Sequence, residues 1–322
     1  MSPIESFSKG LEGLSQLDRL YKSEMPHPSS SLFEAAHYHF RNPGKSFRAQ
    51  LALSAGIAVN QDIQDSLQWA AACELLHNAS LIHDDISDAS THRRGQTSIN
   101  QKFGSDMALC LGDWMVAKAF EFAARNKAHG SALVAILAQA MQDTCGGQIS
   151  DISQQQCVDL DDWQKIAKGK TAPLLATPIR GAMISADLTC EADCLDQLVG
   201  YCGLAYQGRN DINDIVPSSH RSSDLDGRKP NLVVSIFADL KSTENDRFTS
   251  WYGSGDIDAV GYWQKRIATS DAIVQANQLA AFWIEQADLL VPKMPEKLQP
   301  VAEHLVTSVK QTAVIEQQEQ TA

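Results

Sequence analysis

Residues 74–88 read ELLHNASLIHDDISD, and this stretch decides the fold of the chain. Its leucines and isoleucines recur every three to five residues, which predicts a mostly buried helix. Asp84 and Asp88 are four residues apart, so their side chains lie on one face of that helix. Two carboxylates at this spacing repel each other by roughly 0.2–0.5 kcal/mol. A bound cation removes that repulsion, and Mg²⁺ prefers such oxygen ligands. The stretch therefore predicts an apolar helix that ends in a metal-binding cluster.

His77 lies on the same line of this helix, about 10 Å below Asp84 at a rise of about 1.5 Å per residue. This arrangement indicates a deep pocket with a metal at its mouth. The alternative is a solvated acidic face, in which Asp88 simply ends the helix before Ala89. The segments that accompany this helix favour the pocket.

The composition is that of a globular protein and limits its partners. The 322 residues suffice for one large domain or two ordinary ones. No apolar run approaches the roughly 18 residues of a membrane span, so we expect no stable membrane insertion. The N-terminus lacks the pattern of a secretion signal, and the seven cysteines form no CxxC pair, so we expect reduced thiols and a cytoplasmic protein. The net charge of −12 argues against nucleic-acid binding but allows an anionic substrate.

Helical patterns run through most of the chain, and no segment sustains a period of two. They cover residues 11–22, 31–41, 46–59, 62–88, 99–125, 129–143, 160–185, 191–215, 230–240, 258–289 and 297–316. We expect one all-α domain over residues 1–322, with about 30 N-terminal and about 8 C-terminal residues peripheral. Pro173 and Pro178 should kink or break their helix. The polar stretches 216–230 and 241–256 should form mobile loops.

Basic residues accompany the acidic cluster in the N-terminal half. Residues 44–48 read GKSFR and precede a predicted helix, so Lys45 and Arg48 face one way beside a helix N-terminus, which attracts anions. Arg93 and Arg94 follow the cluster in a loop, and paired arginines are good phosphate ligands. Taken alone, each segment is better explained as an exposed basic surface.

The C-terminal half has a similar combination. Lys170 and Thr171 open the segment KTAPLLATPIRGA, where the lysine either enters a cavity or lies along the surface. Residues 206–214 read YQGRNDIND and place four oxygen-bearing side chains on one helical face: Gln207, Asn210, Asp211 and Asp214. Lys229 follows across a polar stretch.

Two acidic helix faces about 120 residues apart thus alternate with basic groups. This inventory suits a diphosphate held by Mg²⁺ between two helices. No P-loop, GxGxxG turn or readable Ser-His-Asp order is present.

These segments together resemble a trans-isoprenyl diphosphate synthase of the polyprenyl synthetase family, from about residue 31 to about residue 315. GKSFRAQ resembles the family's GKxxRP, and ELLHNASLIHDDISD followed by RRG resembles its first aspartate-rich motif. KTAPLLATPIRGA resembles its KT…GA helix, and YQGRNDIND resembles its second aspartate-rich motif, FQxxDDxxD. The combination is specific, although no single piece is.

The resemblance implies an isoprenoid-synthase-type helical bundle around a central cavity, a homodimer, and a prenyltransferase of isoprenoid biosynthesis. The expected reaction is head-to-tail condensation of isopentenyl diphosphate with an allylic diphosphate. The expected catalytic residues are Asp84, Asp88, Lys170, Gln207 and Asp211. The expected metal ligands are Asp84, Asp85, Asp88, Asn210 and Asp214, for three Mg²⁺ ions or Mn²⁺ in their place. Isopentenyl diphosphate would be held by Lys45, Arg48, His77 and Arg94. The allylic diphosphate would be held by Arg93, Lys170, Gln207 and Lys229, with Thr171 as a further substrate ligand.

The chain departs from the family pattern in places. Asn210 replaces an aspartate that ligates metal, so it offers a carbonyl oxygen without charge. Gly208 and Asn213 replace apolar residues, and Ala49 replaces a proline. The segment that carries Lys229 lacks part of the usual acidic-glycine pattern.

Small side chains below the first cluster predict a long product. In the family the growing prenyl tail runs down beside this helix, and bulky residues four or five positions before the first aspartate stop it early. Here those positions are Ser80 and Ala79, and Leu76 lies one turn deeper. We expect geranylgeranyl diphosphate or a longer polyprenyl diphosphate. The alternative is a floor supplied by another helix, with Met115 or Phe120.

Two other functions compete with this one. A class I terpene cyclase shares the fold and the metal chemistry but has no use for Lys45, Arg48, His77 and Arg94. A weakly active regulatory subunit of a heteromeric prenyl synthase would account for Asn210.

Overall fold

The computed structural model describes residues 3–152, 156–188, 192–216, 221–240 and 243–319. The helices are α1 (Pro3–Glu24), α2 (Phe33–Phe40), α3 (Phe47–Ala58), α4 (Ile63–Ser87), α5 (Ile99–Phe103), α6 (Ser105–Ala124), α7 (Gly130–Ile152), α8 (Leu160–Ser185), α9 (Ala192–Ile215), α10 (Ser223–Gly227), α11 (Leu232–Asp239), α12 (Thr243–Ser254), α13 (Val260–Ala268), α14 (Asp271–Leu290) and α15 (Gln299–Glu319). Short 3₁₀ turns lie at Val291–Lys293 and Glu296–Leu298, and β1 (His92–Arg93) pairs with β2 (Gln96–Thr97) in an antiparallel ladder. The predicted all-α fold class is confirmed. Within these ranges, none of the helices combines the length and the apolar character needed to cross a bilayer.

The chain divides into two compact units. Unit 1 comprises Met1–Gln142, Leu174–Ala192 and Pro295–Val301, and unit 2 comprises Asp143–Pro173, Asp193–Met294 and Ala302–Ala322. The single domain expected over residues 1–322 stays a prediction.

Helix α4 forms the centre of unit 1 and packs against α3 and α6. It begins where the Asp62 carboxylate accepts hydrogen bonds from the backbone N–H groups of Gln64 and Asp65. Ala70, Ala71 and Ala72 are fully buried and lack bulk, so neighbouring helices can approach closely. Further along, the core includes the buried Leu75, Leu76 and Ile82. Each such side chain contributes roughly 1.5–3 kcal/mol through its burial.

The core of unit 2 includes α9 and a pair of stacked aromatic side chains beside it. Trp163 of α8 stacks on Trp283 of α14, with ring centroids 5.6 Å apart. Gly208 of α9 faces this pair and Leu232, and a Cβ at Gly208 would lie 2.9 Å from the Leu232 side chain. The glycine, where the family has an apolar residue, therefore allows this close approach.

Pro173 and Pro178, expected to kink or break their helix, do not break it, because α8 runs without interruption from Leu160 to Ser185. Packing against Trp69 stabilises the helix around Pro178. The indole N–H of Trp69 donates to the Pro178 carbonyl at 3.0 Å, and a Cβ at Gly181 would lie 2.2 Å from the indole ring. Tertiary contacts thus outweigh the intrinsic preference of proline.

Other segments also differ from the sequence-based expectation, and α7 extends nine residues beyond its predicted end at residue 143. The helix predicted over 99–125 is two helices, because Gly104 adopts a φ of +91° between α5 and α6. The helix predicted over 258–289 is also two, and the Ser270 side chain caps α14 through the Ala272 N–H. The stretches 216–230 and 241–256, expected to be loops, contain all of α10 and all of α12. The sequence pattern did not indicate α12, because the helix is mostly polar and only a few aromatic residues form its apolar face.

Candidate active site

One face of the C-terminal half of α4 is accessible over several turns, while His83, Ile86 and Ser87 off this face are also not fully buried. Five partly exposed residues share that face by their spacing, and we call them the accessible stripe: His77, Ser80, Leu81, Asp84 and Asp88. Leu76, Ala79 and Asp85 point elsewhere and are buried. Of the three carboxylates of α4 expected to bind metal, Asp84 and Asp88 thus lie on the side that a ligand can reach, and Asp85 does not.

Arg93 is the cation nearest to the first cluster, Asp84, Asp85 and Asp88. Its Nε and Nη2 atoms donate to Asp85 Oδ1 at 2.9 and 2.5 Å, and Nη2 also donates to Asp84 Oδ2 at 3.2 Å. Burial raises the pKa of Asp85, although the hydrogen bond and charge of Arg93 oppose the shift. Asp85 therefore serves to hold Arg93, while Asp84 and Asp88 remain on the accessible stripe.

A tight hairpin places the two arginines. In the β1–β2 ladder the loop residues are Arg94 and Gly95, both with positive φ (52° and 73°), as a two-residue hairpin loop of type I′ requires. Arg94 Nη1 donates to the Asn42 carbonyl at 3.2 Å and to Asn78 Oδ1 at 3.3 Å. The Asn42 amide in turn donates to the Arg94 carbonyl at 2.8 Å. The turn before Lys45 and the RRG hairpin, separate in sequence, are therefore joined beside α4.

Sequence reasoning missed a buried acid at the base of this region. Glu74 is 3% exposed, and its Oε2 accepts the Ala49 N–H at 3.1 Å, so it caps the N-terminal turn of α3 from a different helix. Burial raises the pKa of Glu74, and the nearby charges of Arg48 and Arg94 oppose that shift. Asn78 donates to the Glu74 carbonyl at 2.7 Å. The only sequence signal was a charged residue inside an apolar run.

Two histidines near this acid are kept neutral. Desolvation lowers the pKa of His77 well below its ordinary value, and the charge of Arg48 adds to the effect. Burial lowers the pKa of His39 to about 4, against a hydrogen bond of 2.9 Å between its Nε2 and Asn78 Oδ1. His77 can therefore offer a hydrogen bond to a diphosphate but not a positive charge. Lys45, which is exposed, and Arg48 supply the charge on this side.

In unit 2, the second cluster comprises Asn210, Asp211 and Asp214 on α9. Asp211 is 1% exposed, and three donors surround its carboxylate: Trp163 Nε1 at 2.8 Å, Gln207 Nε2 at 2.8 Å and the Leu232 N–H at 2.7 Å. Burial raises its pKa well above the ordinary value, and the charge of Asp224 adds to the shift. The structure thus places Asp211 and Gln207 in a buried network with Trp163, which sequence reasoning had not paired with them.

Asp214 holds the segment that follows α9. Its carboxylate accepts hydrogen bonds from the Ser222 hydroxyl, the Ser223 N–H and hydroxyl, both at 2.9 Å, and the Asp224 N–H at 3.3 Å. Burial raises the pKa of Asp224 to about 7, with the charge of Asp214 as the next cause. Asn210 is partly exposed and brings no charge.

The remaining predicted residues of unit 2 lie on α8 and after α10. Lys170 Nζ pairs with Asp151 Oδ2 at 2.7 Å, a partner that sequence reasoning missed. Thr171 faces Gly203 of α9, 3.6 Å from the position that a Cβ there would take. The Lys229 N–H donates to the Asp224 carbonyl at 2.9 Å, and the Tyr252 hydroxyl donates to the Lys229 carbonyl at 3.3 Å.

Solved structures of prenyl diphosphate synthases have a fold similar to that of this chain. A geranylgeranyl pyrophosphate synthetase from Pyrococcus horikoshii matches with a TM-score of 0.82 and 25% identity, covering 95% of this chain and 98% of that one. A polyprenyl synthase from Caulobacter crescentus, complexed with calcium and isoprenyl diphosphate, matches with a TM-score of 0.83 and 21% identity, covering 96% and 97%.

Sequence relatives differ in the product named for them. Three relatives from Mycobacterium tuberculosis are synthases of farnesyl, geranylgeranyl and nonaprenyl diphosphate. They are 30%, 33% and 29% identical over 219 residues, covering 65%, 65% and 67% of this chain and 61%, 63% and 64% of theirs. Overall identity therefore does not indicate the product length.

The family model described as polyprenyl synthetase matches residues 29–267. A short chain isoprenyl diphosphate synthase from Methanothermobacter thermautotrophicus is 30% identical over 250 residues, covering 74% of this chain and 77% of the relative. These matches agree with the motifs on α4, α8 and α9, and the chain therefore belongs to the polyprenyl synthetase family of prenyltransferases.

Proposed function

We propose that the chain condenses isopentenyl diphosphate with an allylic diphosphate, head to tail and in the trans configuration, in a Mg²⁺-dependent reaction. One observation carries the proposal. Arg93 of the β1–β2 hairpin pairs with Asp84 on the accessible stripe, and the charges of Arg48 and Arg94 act on His77 of the same stripe.

Isopentenyl diphosphate is proposed to bind to Lys45, Arg48, His77 and Arg94. Arg94 is oriented by Asn42 and Asn78, and Glu74 anchors the α3 turn on which Arg48 lies. A class I cyclase binds no second diphosphate, so this built arrangement favours a synthase.

The first cluster fits a divalent cation by its chemistry, because Asp84 and Asp88 present carboxylate oxygens on one accessible face. In the ranges that the structure describes, no three His, Cys, Asp or Glu side chains are grouped closely enough to hold an ion by themselves. When bound, Mg²⁺ supplies positive charge that stabilises a leaving diphosphate. Arg93, fixed by Asp85, adds charge of the same sign. We propose that Lys170, Thr171, Gln207 and Lys229 bind the same substrate, as the motif resemblance implies.

The second cluster fits a cation less well. Asp214 would have to exchange its hydrogen bonds from Ser222, Ser223 and Asp224 for the ion, and Asn210 offers only a neutral oxygen. We propose that Asn210 and Asp214 bind Mg²⁺ weakly, so that full occupancy needs more metal than in a synthase with the complete motif.

In the proposed reaction the allylic C–O bond breaks and the electron pair leaves with the diphosphate. The positive charges of its proposed ligands Arg93, Lys170 and Lys229 stabilise the negative charge that develops there. The double bond of isopentenyl diphosphate then forms the new C–C bond, and the departing diphosphate takes the proton that is lost. Leu81 and the small side chain of Ser80 line the accessible stripe below Asp84, where they exclude water from the allylic cation.

The deciding experiment is an assay of the purified chain alone with isopentenyl diphosphate, an allylic primer and Mg²⁺. Condensation supports the proposal. Cyclised product from the allylic substrate alone would indicate a cyclase instead. Activity that appears only after a second synthase subunit is added would indicate the regulatory role that Asn210 first suggested.

We propose a product longer than farnesyl diphosphate. Ser80 lies on the accessible stripe, whereas Ala79 and Leu76 are fully buried, as is Met115. Ser80→Phe should therefore shorten the product without overpacking the core. Ala79→Phe, at a buried position that points away from the stripe, should shorten the product less and cost about 1–3 kcal/mol in stability. Chromatography of the dephosphorylated products decides, and a wild-type product of farnesyl length or shorter contradicts the proposal.

The proposed enzyme acts in the cytoplasm as a homodimer. Light scattering during gel filtration tests the homodimer, and a monomer at assay concentration would contradict it.

A further inference from the structure

Arg228 stands at a backbone position that favours glycine. Its φ of 54° and ψ of 37° lie in the left-handed region, which a residue with a Cβ adopts only under strain. Gly227, immediately before it, lies in α10. The strained backbone conformation is thus adopted by a residue with a long charged side chain. Contacts of that side chain must offset the free-energy cost of the strain.

The side chain of Arg228 is held from two directions. Its guanidinium carbon lies 4.0 Å from the ring centroid of Trp251 and 5.0 Å from that of Tyr252, both on α12. Its Nη1 donates to the Leu225 carbonyl at 2.8 Å and its Nη2 to the Asp256 carbonyl at 2.6 Å. We call this arrangement the arginine clamp.

The rings of the clamp are themselves fixed. Phe248 contacts both Trp251 and Tyr252, with centroids 5.8 and 5.6 Å away, and Trp263 of α13 lies 5.8 Å from Trp251. Phe248 is fully buried. The clamp therefore ties the segment after α10 to a rigid aromatic cluster rather than to a mobile side chain.

The clamp acts on the backbone of the next residue, Lys229. The Lys229 N–H is bonded to the Asp224 carbonyl, and its carbonyl accepts the hydroxyl of Tyr252, a ring of the clamp. Both faces of this peptide segment are thus fixed, one by α10 and one by α12. A lysine that must reach a diphosphate loses less entropy on binding when its backbone is held in this way.

We propose that Arg228 is a positioning residue, which through Trp251 and Tyr252 sets the backbone from which Lys229 binds the allylic diphosphate. This inference rests on the proposed function, since the role of Lys229 comes from it. It adds a requirement that the motif pattern does not contain, namely a stacked arginine before the lysine.

The test uses the full-length chain with changes at the clamp. Arg228→Ala should raise the KM for the allylic diphosphate about tenfold, as expected for a mispositioned ligand, and leave the KM for isopentenyl diphosphate within about twofold. Arg228→Lys keeps a cation for the rings but loses the planar fork, so it should recover part of the loss. Arg228→Gly relieves the backbone strain without restoring the clamp. It should be the more stable variant and yet share the raised KM.

Two further variants isolate the cause. Trp251→Phe weakens the stacking while keeping an aromatic ring, and its effect on the allylic KM should not add to that of Arg228→Ala. The matched control is Arg266→Ala, which removes an exposed arginine bound to Glu244 of α12 at 2.6 and 2.8 Å but leaves the lysine segment intact. It should leave both KM values unchanged.

Hydrogen exchange measured by mass spectrometry provides a readout that does not depend on activity. Residues 224–232 should exchange faster in Arg228→Ala and Arg228→Gly than in the wild type, and this segment should keep its rate in Arg266→Ala. Arg228→Ala could leave both this exchange and the KM for the allylic diphosphate unchanged while Lys229→Ala raises that KM. This result would refute the positioning role of Arg228 and leave the proposed function intact. If the wild type condenses nothing, the proposed function fails, and the exchange data still judge the clamp.

Discussion

The acidic clusters of α4 and α9 have similar sequences but different surroundings in the structure. Asp84 lies on an accessible helix face, and its carboxylate contacts Arg93, a cation from a separate hairpin. Asp211 is buried, and its carboxylate is surrounded by an indole, an amide and a backbone N–H. Asp214 is bonded to the segment that follows its own helix.

This difference shows what decides the role of a carboxylate. An acid on an exposed face beside cations retains oxygen atoms that a metal ion can reach, so it is suited to binding. An acid that satisfies buried donors stabilises the fold, because removing it leaves those donors without an acceptor. On this argument, the same substitution should abolish activity in the first cluster and reduce stability in the second.

The largest expected effect is that of Asp84→Ala. Turnover should fall by roughly 1,000-fold, because metal stabilisation of the transition state is worth several kcal/mol. The free energy of unfolding should change little, since Asp84 is partly exposed. Steady-state kinetics and urea denaturation measure the two quantities. Asp106→Ala, at an exposed aspartate in the first turn of α6, serves as the control. Full activity of Asp84→Ala, or of the wild type in excess chelator, would contradict the assignment.

The matched change in the second cluster is Asp211→Ala. It removes the acceptor for Trp163, Gln207 and Leu232, so we expect a loss of about 4 kcal/mol in the free energy of unfolding. Asp211→Asn should restore most of that stability, because its single carbonyl oxygen can still accept the indole and backbone N–H groups. Denaturant midpoints decide. An Asp211→Ala variant that is as stable as the wild type but inactive would assign Asp211 to the chemistry instead.

The sequence was sufficient for the all-α fold class, for most of the long helices and for the family, while the roles of the motif residues stay predictions. The helix predicted over 160–185 matches α8, and the one over 62–88 differs from α4 by one residue at each end. The partners of the motif residues could not be predicted. Glu74 bonds to Ala49 across 25 positions, and Trp163 bonds to Asp211 across 48. Such pairings depend on how helices pack, which periodicity within one helix does not encode.

The acid response of unit 1 should depend on His39. Burial lowers its pKa to about 4 in the folded state, whereas a histidine ring in an unfolded chain has a pKa of about 6.5. Between these pH values the unfolded state binds a proton that the folded state does not. The free energy of unfolding therefore falls as the pH drops from about 6.5 to about 4, by up to about 3 kcal/mol, and levels off below.

His39→Gln should flatten this decline, because glutamine keeps a donor for Asn78 but cannot titrate. Urea denaturation at pH 7.5 and pH 4.5 measures the change, and His27→Gln, at an exposed histidine, is the control. An equal acid loss in wild type and His39→Gln would show that another group causes it.

The smallest expected effect, and the most direct test of the comparison between the clusters, is Asn210→Asp. Restoring the carboxylate adds a charge beside the proposed weak metal position, and one unit charge at about 4 Å is worth about 1 kcal/mol even in water. The Mg²⁺ concentration for half-maximal activity should therefore fall about fivefold, with turnover equal or higher. Metal titrations of both proteins, followed by activity and by the binding of Mn²⁺ in its place, decide the outcome. Superimposable curves would show that Asn210 does not contact the metal. A tighter metal dependence with reduced turnover would show that the second cluster has been adapted to different chemistry, since the added charge then binds the ion but opposes the reaction.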